Sequence, residues 1–347
     1  MSKSIAKNQS VAITCAVIAA FLFAYFESML GDIATNIGIE AYIAFRLVFT
    51  SGVYFLILWL FSLRRNSGGL VFSPKNIDMI LYVRGFITVI YLTCLAVAFY
   101  GGKSQALTYP FFFLHPIWQF FAARMINKKW PSIKRQAAPI ALILIGALVF
   151  AVSHPKNHTE AQGWWQQFFE ALPSYAPALL AGIGFAYTNE MSTRISERCN
   201  EYPYKFVGGV TIERMDGLRI TAYTTYASIL ILPIMLPIMT IILKYLGMST
   251  TTLNLLQSEQ LPSYVSDLSL ACLIVAVGTW AITEAFARAK HTTQIAALDG
   301  LLIPLAAGLD YLHGRLPTDD PNFVYMAGAL FLILVGAVWS AFRPEAS

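Results

Sequence analysis

The sequence has few charged residues. Only 12% of its 347 residues are Asp, Glu, Lys or Arg, whereas 57% are hydrophobic. Soluble domains carry about 25% charged residues, so this chain has too few to cover a water-soluble surface. Its four cysteines are also too few for a disulfide-stapled secreted module, and its hydrophobic content excludes an intrinsically disordered chain. The composition therefore predicts a protein embedded in a lipid bilayer.

Long apolar runs take up most of the chain. One helix needs roughly 20 mostly apolar residues to cross a hydrocarbon core about 30 Å thick. A membrane β-barrel would show alternating segments of about ten residues instead, so we predict an all-α integral membrane protein with ten transmembrane helices. The predicted spans lie at about residues 11–30, 41–61, 77–99, 103–125, 136–153, 176–193, 218–243, 268–287, 292–312 and 323–342.

The positions of the basic residues predict the orientation. Lys and Arg concentrate in the cytoplasmic segments of membrane proteins. If the N-terminus is cytoplasmic, the outer segments contain only Lys103, Lys156, Lys244 and Arg315 of the 24 basic residues. We therefore expect cytoplasmic N- and C-termini in a multi-pass protein of the cytoplasmic (cell) membrane. The net charge of +5 is explained by this asymmetry and requires no nucleic acid as a partner.

The second half of the sequence repeats features of the first. Because each half has five spans, an odd number, the second half must be inverted relative to the first. Inverted repeats are typical of secondary transporters whose substrate site lies near the midplane. The matched features are Phe23-Ala24-Tyr25 with Phe185-Ala186-Tyr187, Arg46 with Arg219, Pro116 with Pro304, and residues 142–147 with 332–337.

These matches divide the chain into three parts. Residues 11–153 form the first five-helix repeat, 154–175 an outer loop and 176–343 the second repeat. The loop contains apolar residues at helical spacing, which predict either an interfacial helix with a tryptophan anchor or a lid over a cavity. These residues are Trp164, Trp165, Phe168, Phe169 and Leu172.

Two stretches resemble a known family. Leu95–Val152 and Ile282–Phe342 look like the third-to-fifth helix pattern of the EamA-type members of the drug/metabolite transporter superfamily. Arg46, in the string AFRLVF, resembles the Arg that this family has early in its second helix. The resemblance implies a ten-helix bundle with a central cavity lined mainly by helices 1, 3, 4, 6, 8 and 9. It also implies that helices 5 and 10 are peripheral.

Three ionisable residues lie deep within predicted spans, where a charge is costly and often functional. Arg84 and Asp299 are roughly 10 Å from the membrane surface, at about 1.5 Å per helical residue. They either pair with each other or face a cavity and offer opposite charges to a zwitterion. His115, near the midplane between Pro110 and Pro116, is either a satisfied core residue or a group for substrate contact or proton coupling. The two prolines loosen the helix around it.

Four further charges lie near the ends of spans. Glu27 and Arg46 are close to the outer ends of spans 1 and 2, and Glu190 and Arg219 occupy the matching places at the inner ends of spans 6 and 7. We expect either two ion-pair gates that close opposite sides in turn or helix-end charges that pair locally.

The remaining candidates are one acid and several aromatic or amide side chains. Glu284 is expected to pair with Arg288 at i,i+4 spacing, with a cavity role as the alternative. The others could reach a cavity, although aromatic residues also face lipid. They are Tyr25, Tyr109, Phe112, Trp118, Gln119, Tyr187 and Trp280.

Together these features predict a secondary transporter that moves a small organic metabolite by alternating access. The expected solute is a zwitterionic amino-acid-like compound or an organic cation, and the coupling partner is a proton or a counter-solute. The sequence has no phosphate-cradling loop, and we expect no cofactor, metal or enzymatic activity. The alternatives are a lipid-type flippase on the same scaffold and an integral-membrane enzyme. For the enzyme, His154 and His158 would need a third ligand.

Overall fold

The structure is a computed structural model. It describes residues 2–65, 79–100, 111–112, 114–128, 137–153, 164–201, 204–205, 211–212, 216–248, 261–289, 292–312 and 323–342. Within these ranges the chain is almost wholly helical. The helices are α1 (Ser2–Ile37), α2 (Ile39–Arg65), α3 (Met79–Phe99), α4 (His115–Asn127), α5 (Ala137–Ser153), α6 (Trp164–Glu201), α7 (Gly217–Tyr245), α8 (Leu261–Arg288), α9 (Thr292–Leu298), α10 (Leu302–Leu312) and α11 (Phe323–Phe342).

Two short strands interrupt this pattern. β1 (Tyr204–Lys205) and β2 (Thr211–Ile212) pair antiparallel between α6 and α7. At the other end of α6, the predicted interfacial segment is not a separate helix, because α6 begins at Trp164 and continues without a break into the sixth span.

Apolar length confirms a multi-pass helical membrane protein. In the part of the chain that the structure describes, seven segments are long and apolar enough to cross a membrane. They lie in α1, α2, α3, α7, α8, α9 with α10, and α11. The other three predicted spans contain helices in their described residues but do not qualify: α4 and α5 are 13 and 17 residues long, and α6 mixes polar with apolar residues. The number of ten spans and the orientation stay predictions.

The fourth and ninth spans are both interrupted beside a proline. In the ninth, a 3₁₀ turn at Asp299–Leu301 separates α9 from α10. In the fourth, α4 begins at His115, directly before Pro116. A proline has no N–H for the carbonyl four residues earlier. Pro116 and Pro304 therefore leave the carbonyls of Phe112 and Gly300 without their usual helical donors.

The helices pack in pairs that correspond between the two halves. α1 packs against α8 and α6 against α3, while α2 packs against α7 and α5 against α11. Two glycines permit close approach in the first two pairs. A Cβ on Gly278 of α8 would lie 3.2 Å from the ring of Phe23 in α1, and one on Gly184 of α6 would lie 2.6 Å from the Cβ of Tyr91 in α3.

The α5–α11 contact is reciprocal. A Cβ on Gly146 would lie 2.7 Å from both the carbonyl oxygen of Ala329 and the Cγ1 of Ile333. A Cβ on Gly336 would lie 2.7 Å from the carbonyl oxygen of Pro139 and 2.9 Å from the Cγ1 of Ile143. Each glycine therefore faces equivalent positions of the other helix, namely the residues three and seven positions before the other glycine. Segments 142–147 and 332–337, matched in the sequence, face each other here.

Hydrogen bonds between helices connect one end of the bundle, which we call the N-terminal end because α1 begins there. Gly217 N–H at the start of α7 donates to Glu284 Oε2 in α8, and Thr193 Oγ1 in α6 donates to the carbonyl of Phe286 at 2.9 Å. The amides of Gln9 in α1 and Gln294 in α9 are 2.6 Å apart. Gln294 also donates to the carbonyl of Ser340 in α11 at 2.9 Å.

Candidate functional site

The two interrupted spans bring a histidine and an aspartate together. His115 Nε2 lies 3.3 Å from Asp299 Oδ2; the histidine side chain is fully buried and that of the aspartate is 7% exposed. His115 is the first residue of α4, and Asp299 is the first residue of the 3₁₀ turn. Because one residue belongs to each half of the sequence, this contact joins the two halves. Pairing of Asp299 with Arg84, one of the two expected arrangements, is wrong.

Aromatic rings enclose the histidine. The ring of Phe112 lies 5.8 Å from that of His115, and the ring of Phe185 in α6 meets it edge-on at 5.3 Å. Phe112 and Phe185 also contact each other, with centroids 5.3 Å apart. In these apolar surroundings, a charge on either member of the pair interacts more strongly with its neighbours than it would in water.

A cavity lies beside this pair, between helices of both halves. In this conformation it is narrow, with a volume of about 20 Å³, enough for about one water molecule. Its charged lining residues are Arg46 and Asp299, which offer opposite charges. His115 does not line it, but contacts three residues that do: Asp299, Phe112 and Phe185. The uncharged lining residues are Phe23, Phe26, Tyr91, Leu95, Phe112, Phe185 and Leu302.

Arg46 contributes a positive charge that neutral groups hold in place. Its Nη1 donates to the hydroxyl of Tyr42 at 2.6 Å, one turn earlier in α2. The guanidinium also lies over the ring of Phe26 at 5.2 Å and over that of Tyr42 at 5.9 Å, both within the range of cation–π attraction. The side chain of Glu27, its predicted gating partner, lies outside the described residues. Among the side chains that are described, Arg46 has no carboxylate within ion-pair distance.

Arg84 lies elsewhere, at a junction of four helices. Its Nε donates to the carbonyl of Thr188 in α6 at 2.9 Å, its Nη1 to the hydroxyl of Thr224 in α7, and its Nη2 to Thr283 in α8 at 3.4 Å. The side chain is buried and does not line the cavity. The structure therefore separates Arg84 from the two residues with which the sequence grouped it.

The second predicted gate is not formed in this conformation. Arg219 Nη1 pairs with Asp216 Oδ2 at 2.6 Å, and the Asp216 side chain also caps α7 by accepting from the Arg219 N–H at 3.0 Å. Glu190 accepts a 2.5 Å hydrogen bond from Gln119 Nε2, one turn after His115. The local pairing expected for a helix-end charge is therefore what Arg219 shows.

The i,i+4 pairing of Glu284 is confirmed. Its carboxylate pairs with Arg288 and accepts the Gly217 N–H. Glu284 therefore connects α7 to α8 and does not line the cavity.

Most of the aromatic candidates lie away from the cavity. Tyr25 is 48% exposed and Trp280 is 36% exposed. The hydroxyl of Tyr187 donates to Met125 Sδ at 2.6 Å, and Trp118 contacts Phe121 with its ring 6.0 Å away. Tyr109 lies outside the described residues.

The residues that sequence reasoning missed carried a readable signal. In each copy of the Phe-Ala-Tyr motif the Phe, not the Tyr, lines the cavity: Phe23 in α1 and Phe185 in α6. Phe26, three residues after Phe23, lies on the same helix face. The repeated motif therefore identified the helical turn that lines the cavity in α1 and in α6. The Tyr lies two residues after the Phe, so it lies on a different face of the helix.

A metal-dependent alternative receives no support from the described side chains. None of them form a group of three or more His, Cys, Asp or Glu placed to hold a metal ion. His154 and His158 lie outside the described residues.

Comparison with known proteins identifies a shared fold but no family. No family model matches the sequence, and no curated protein matches it. A solved structure described only as "Crystal structure of protein" matches over 95% of this chain and 99% of its own, with a TM-score of 0.56 and 15% sequence identity. At that identity the likeness concerns the fold alone, and that fold extends along nearly the whole chain.

Proposed function

We propose that this protein is a secondary transporter that moves a small zwitterionic, amino-acid-like solute by alternating access. The observation that carries the proposal is the cavity, where Arg46 and Asp299 offer opposite charges within an otherwise apolar lining. Ionisable groups are costly in a membrane and mark solute pathways when they face a cavity. The cavity draws residues from both halves of the sequence, as expected for a site between two repeats.

The proposed architecture is two inverted five-helix repeats, residues 11–153 and 176–343, with both termini in the cytoplasm. Three observations support it: the corresponding helix pairs, the reciprocal contacts of Gly146 and Gly336, and the interruptions beside Pro116 and Pro304. They also support the proposed relation to the EamA-type drug/metabolite transporters.

The charges of the cavity favour a zwitterion over an organic cation. The guanidinium of Arg46 has neutral neighbours among the described residues, so its charge attracts a carboxylate and repels a free cation. Asp299 offers a carboxylate to an ammonium group on the same solute. The rings of Phe23, Phe112 and Phe185 provide an apolar surface for the rest of the molecule.

The hydrogen bonds at the N-terminal end support one half of an alternating-access cycle. They join α6, α7 and α8 at that end. A second state that opens the N-terminal end would have to break these bonds. Alternating access requires two such states of similar free energy.

Three compounds with one apolar body and different charges test the proposal. They are L-phenylalanine (a zwitterion), 2-phenylethylamine (a cation) and 3-phenylpropionate (an anion). We expect vesicles containing the purified protein to exchange labelled phenylalanine, unchanged chemically, and the other two compounds to compete weakly. Exchange of 2-phenylethylamine alone would contradict a zwitterion site. Movement of labelled lipid without phenylalanine exchange would indicate a flippase, and chemical conversion an enzyme.

Variants of Arg46 locate the site. Arg46→Met should reduce exchange by about 10–100-fold, because a hydrogen bond to a charged group contributes about 1.5–3 kcal/mol. Arg46→Lys retains the charge and should lose less. Arg124→Met is the matched control, since Arg124 is exposed near the end of α4 and donates to the carbonyl of Lys128. Equal exchange by Arg46→Met and Arg124→Met would remove Arg46 from the solute site.

A further inference from the structure

We infer that the His115–Asp299 pair binds one proton and releases it when the ammonium group of a solute reaches Asp299. The inference rests on the proposed function and adds the coupling partner and the direction of coupling. Protons and solute would then move in opposite directions across the membrane.

The order of the groups is the first observation. Asp299 lines the cavity, whereas His115 does not line it and its imidazole is fully buried, 3.3 Å from the carboxylate. A solute in the cavity can therefore contact the carboxylate but not the histidine. An ammonium group on one side of Asp299 and an imidazolium on the other would compete for a single negative charge.

The charges of the site decide how the two cations interact. With His115 neutral, the positive charge of Arg46 and the negative charge of Asp299 cancel. A proton on His115 leaves a net charge of +1, and an ammonium group at Asp299 then adds a third positive group. Like charges repel strongly in a medium of low dielectric constant. The carboxylate of the solute is attracted to Arg46, so the ammonium group is brought to Asp299 and the imidazolium is the group that becomes neutral.

The surroundings contain few other groups that could take the proton. α2 contributes Arg46 and Tyr42, and α3 contributes Tyr91. From α6, Glu190 is linked through Gln119, one turn beyond His115 in α4.

The remaining neighbouring helices add little charge. α1 contributes Phe23 and Phe26 to the cavity, together with Cys15 and the exposed Tyr25 elsewhere on its surface. α5, which contacts Gly300 through Ile143, has no titratable residue. In α11 the titratable residue is Tyr325, which is exposed. Among the described groups, Asp299 is the acid next to His115.

The exchange balances in atoms and charge. Before binding, the site contains the Arg46 cation, the Asp299 anion and the His115 imidazolium. A zwitterion then enters, its carboxylate at Arg46 and its ammonium at Asp299, and the imidazolium gives its proton to water. The site changes from +1 to 0, and one proton leaves for each solute that enters.

The position of the pair explains how this exchange can affect the conformation. His115 begins α4, and Asp299 begins the turn between α9 and α10. Loss of the imidazolium weakens the contact between two interrupted helices from different halves. The solute, bound between Arg46 and Asp299, thus replaces the contact of α4 with the 3₁₀ turn by a contact of α2 with the same turn.

Proton binding is tested first without any solute. Protein labelled with ¹⁵N-histidine is titrated between pH 5 and 9, and the His115 signal is identified as the one missing from His115→Gln. We expect this signal to change from imidazolium to neutral imidazole, and the imidazolium fraction at a given pH to fall in Asp299→Asn. His158→Gln is the control and should leave the His115 signal unchanged. A His115 signal that stays neutral throughout, or ignores Asp299→Asn, would overturn the inference.

Coupling is tested in vesicles with L-phenylalanine as the probe. An acidic interior should drive phenylalanine uptake by the wild-type protein to several times the equilibrium level. His115→Gln should lose accumulation driven by the pH gradient, whereas Arg124→Met, the control of the exchange assay, should retain it. Unimpaired accumulation in His115→Gln would refute the inference.

The two proposals fail in distinguishable ways. If phenylalanine is exchanged but the pH gradient has no effect, the inference fails and the transporter remains. If the ¹⁵N signal titrates as expected and phenylalanine is neither bound nor exchanged, the proposed zwitterion function fails. In that case the proton release coupled to solute fails with it, whereas proton binding by the pair is supported.

Discussion

Arg84 shows how a single buried charge can be held without a carboxylate. Its three hydrogen-bond partners are a carbonyl and two hydroxyls on different helices. Two of these partners have another bond: Thr188 O also accepts from Ser192 Oγ, and Thr224 Oγ1 donates to the carbonyl of Ile220. They would therefore stay satisfied if the guanidinium were absent.

We predict that two substitutions of Arg84 change the free energy of unfolding by different amounts. Arg84→Met should change the free energy of unfolding by less than about 1 kcal/mol, because an apolar side chain of similar length replaces a charge that is costly to bury. Arg84→Ala should lower it by about 2–4 kcal/mol, because it leaves a cavity between four helices. Thermal unfolding of the purified protein in detergent measures both, with Lys244→Met, an exposed residue of α7, as the control. If Arg84→Met is as unstable as Arg84→Ala, the charge itself stabilises the fold.

At the residue scale, the sequence predicts how deep a residue lies in the membrane better than it predicts which side of its helix the residue occupies. Apolar runs show how far a residue lies from the end of its span, and this was enough to single out His115 and Asp299. The rotation of each helix about its axis is set by packing, which periodicity does not reveal in helices that are apolar on every side. The pairing of these two residues, and the choice of Phe23 over Tyr25 for the cavity, therefore needed the structure.

Prolines and glycines determine how the helices are interrupted and how closely they pack. Pro116 predicts the loosened fourth span, and its match Pro304 accompanies the interruption of the ninth. Gly182 allows α6 to pack closely against the fourth span, since a Cβ there would lie 2.5 Å from the carbonyl oxygen of Phe112. That carbonyl lacks its helical donor because of Pro116. The repeated prolines could be predicted from the sequence, but the 3₁₀ geometry at Asp299 could not.

Gly146 and Gly336 provide a test at the scale of a helix pair. Gly146→Ala and Gly336→Ala should each lower the free energy of unfolding by about 1–3 kcal/mol, because the added methyl group overlaps the facing helix. Gly328→Ala in the same helix as Gly336 is the matched control, with no atom within 4 Å of its Cβ. Its free energy of unfolding should rise by up to about 1 kcal/mol, because Ala has a higher helix propensity than Gly.

The outcome is measured by thermal unfolding of the purified variants. The two glycines share one interface, so the double variant should differ from the sum of the single effects. If Gly146→Ala is as stable as Gly328→Ala, α5 and α11 can separate without cost, and the reciprocal contact does not stabilise the bundle.

For the whole molecule, the all-α membrane class could be predicted from the sequence, because long apolar runs determine where helices form in a membrane, whereas the number of ten spans stays a prediction. The hydrogen bonds at the N-terminal end could not be predicted in the same way. They join residues far apart in the sequence, such as Thr193 with Phe286 and Gly217 with Glu284. Such bonds form or break between states of one sequence, so composition and spacing carry no record of them.

The bond from Thr193 to Phe286 tests whether the N-terminal end opens. Thr193→Val removes a hydroxyl that joins α6 to α8 and preserves the side-chain volume. One hydrogen bond contributes about 1 kcal/mol, so the ratio of molecules open at this end to molecules closed there should rise about fivefold. Thr240→Val is the control, because the Thr240 hydroxyl bonds to Leu236 within α7. The reporter is Leu302→Cys in the cavity, in a chain with its four native cysteines replaced.

Proteoliposomes then report access to the introduced thiol from each side of the membrane, through the rate of its labelling by a membrane-impermeant reagent. Thr193→Val should raise the rate from the side of the N-terminal end and lower it from the opposite side, since both rates follow one equilibrium between two states. Thr240→Val should leave both rates unchanged. Rates that rise on both sides together would show a general loosening of the bundle, and rates that do not change would show that this bond does not hold the N-terminal end closed.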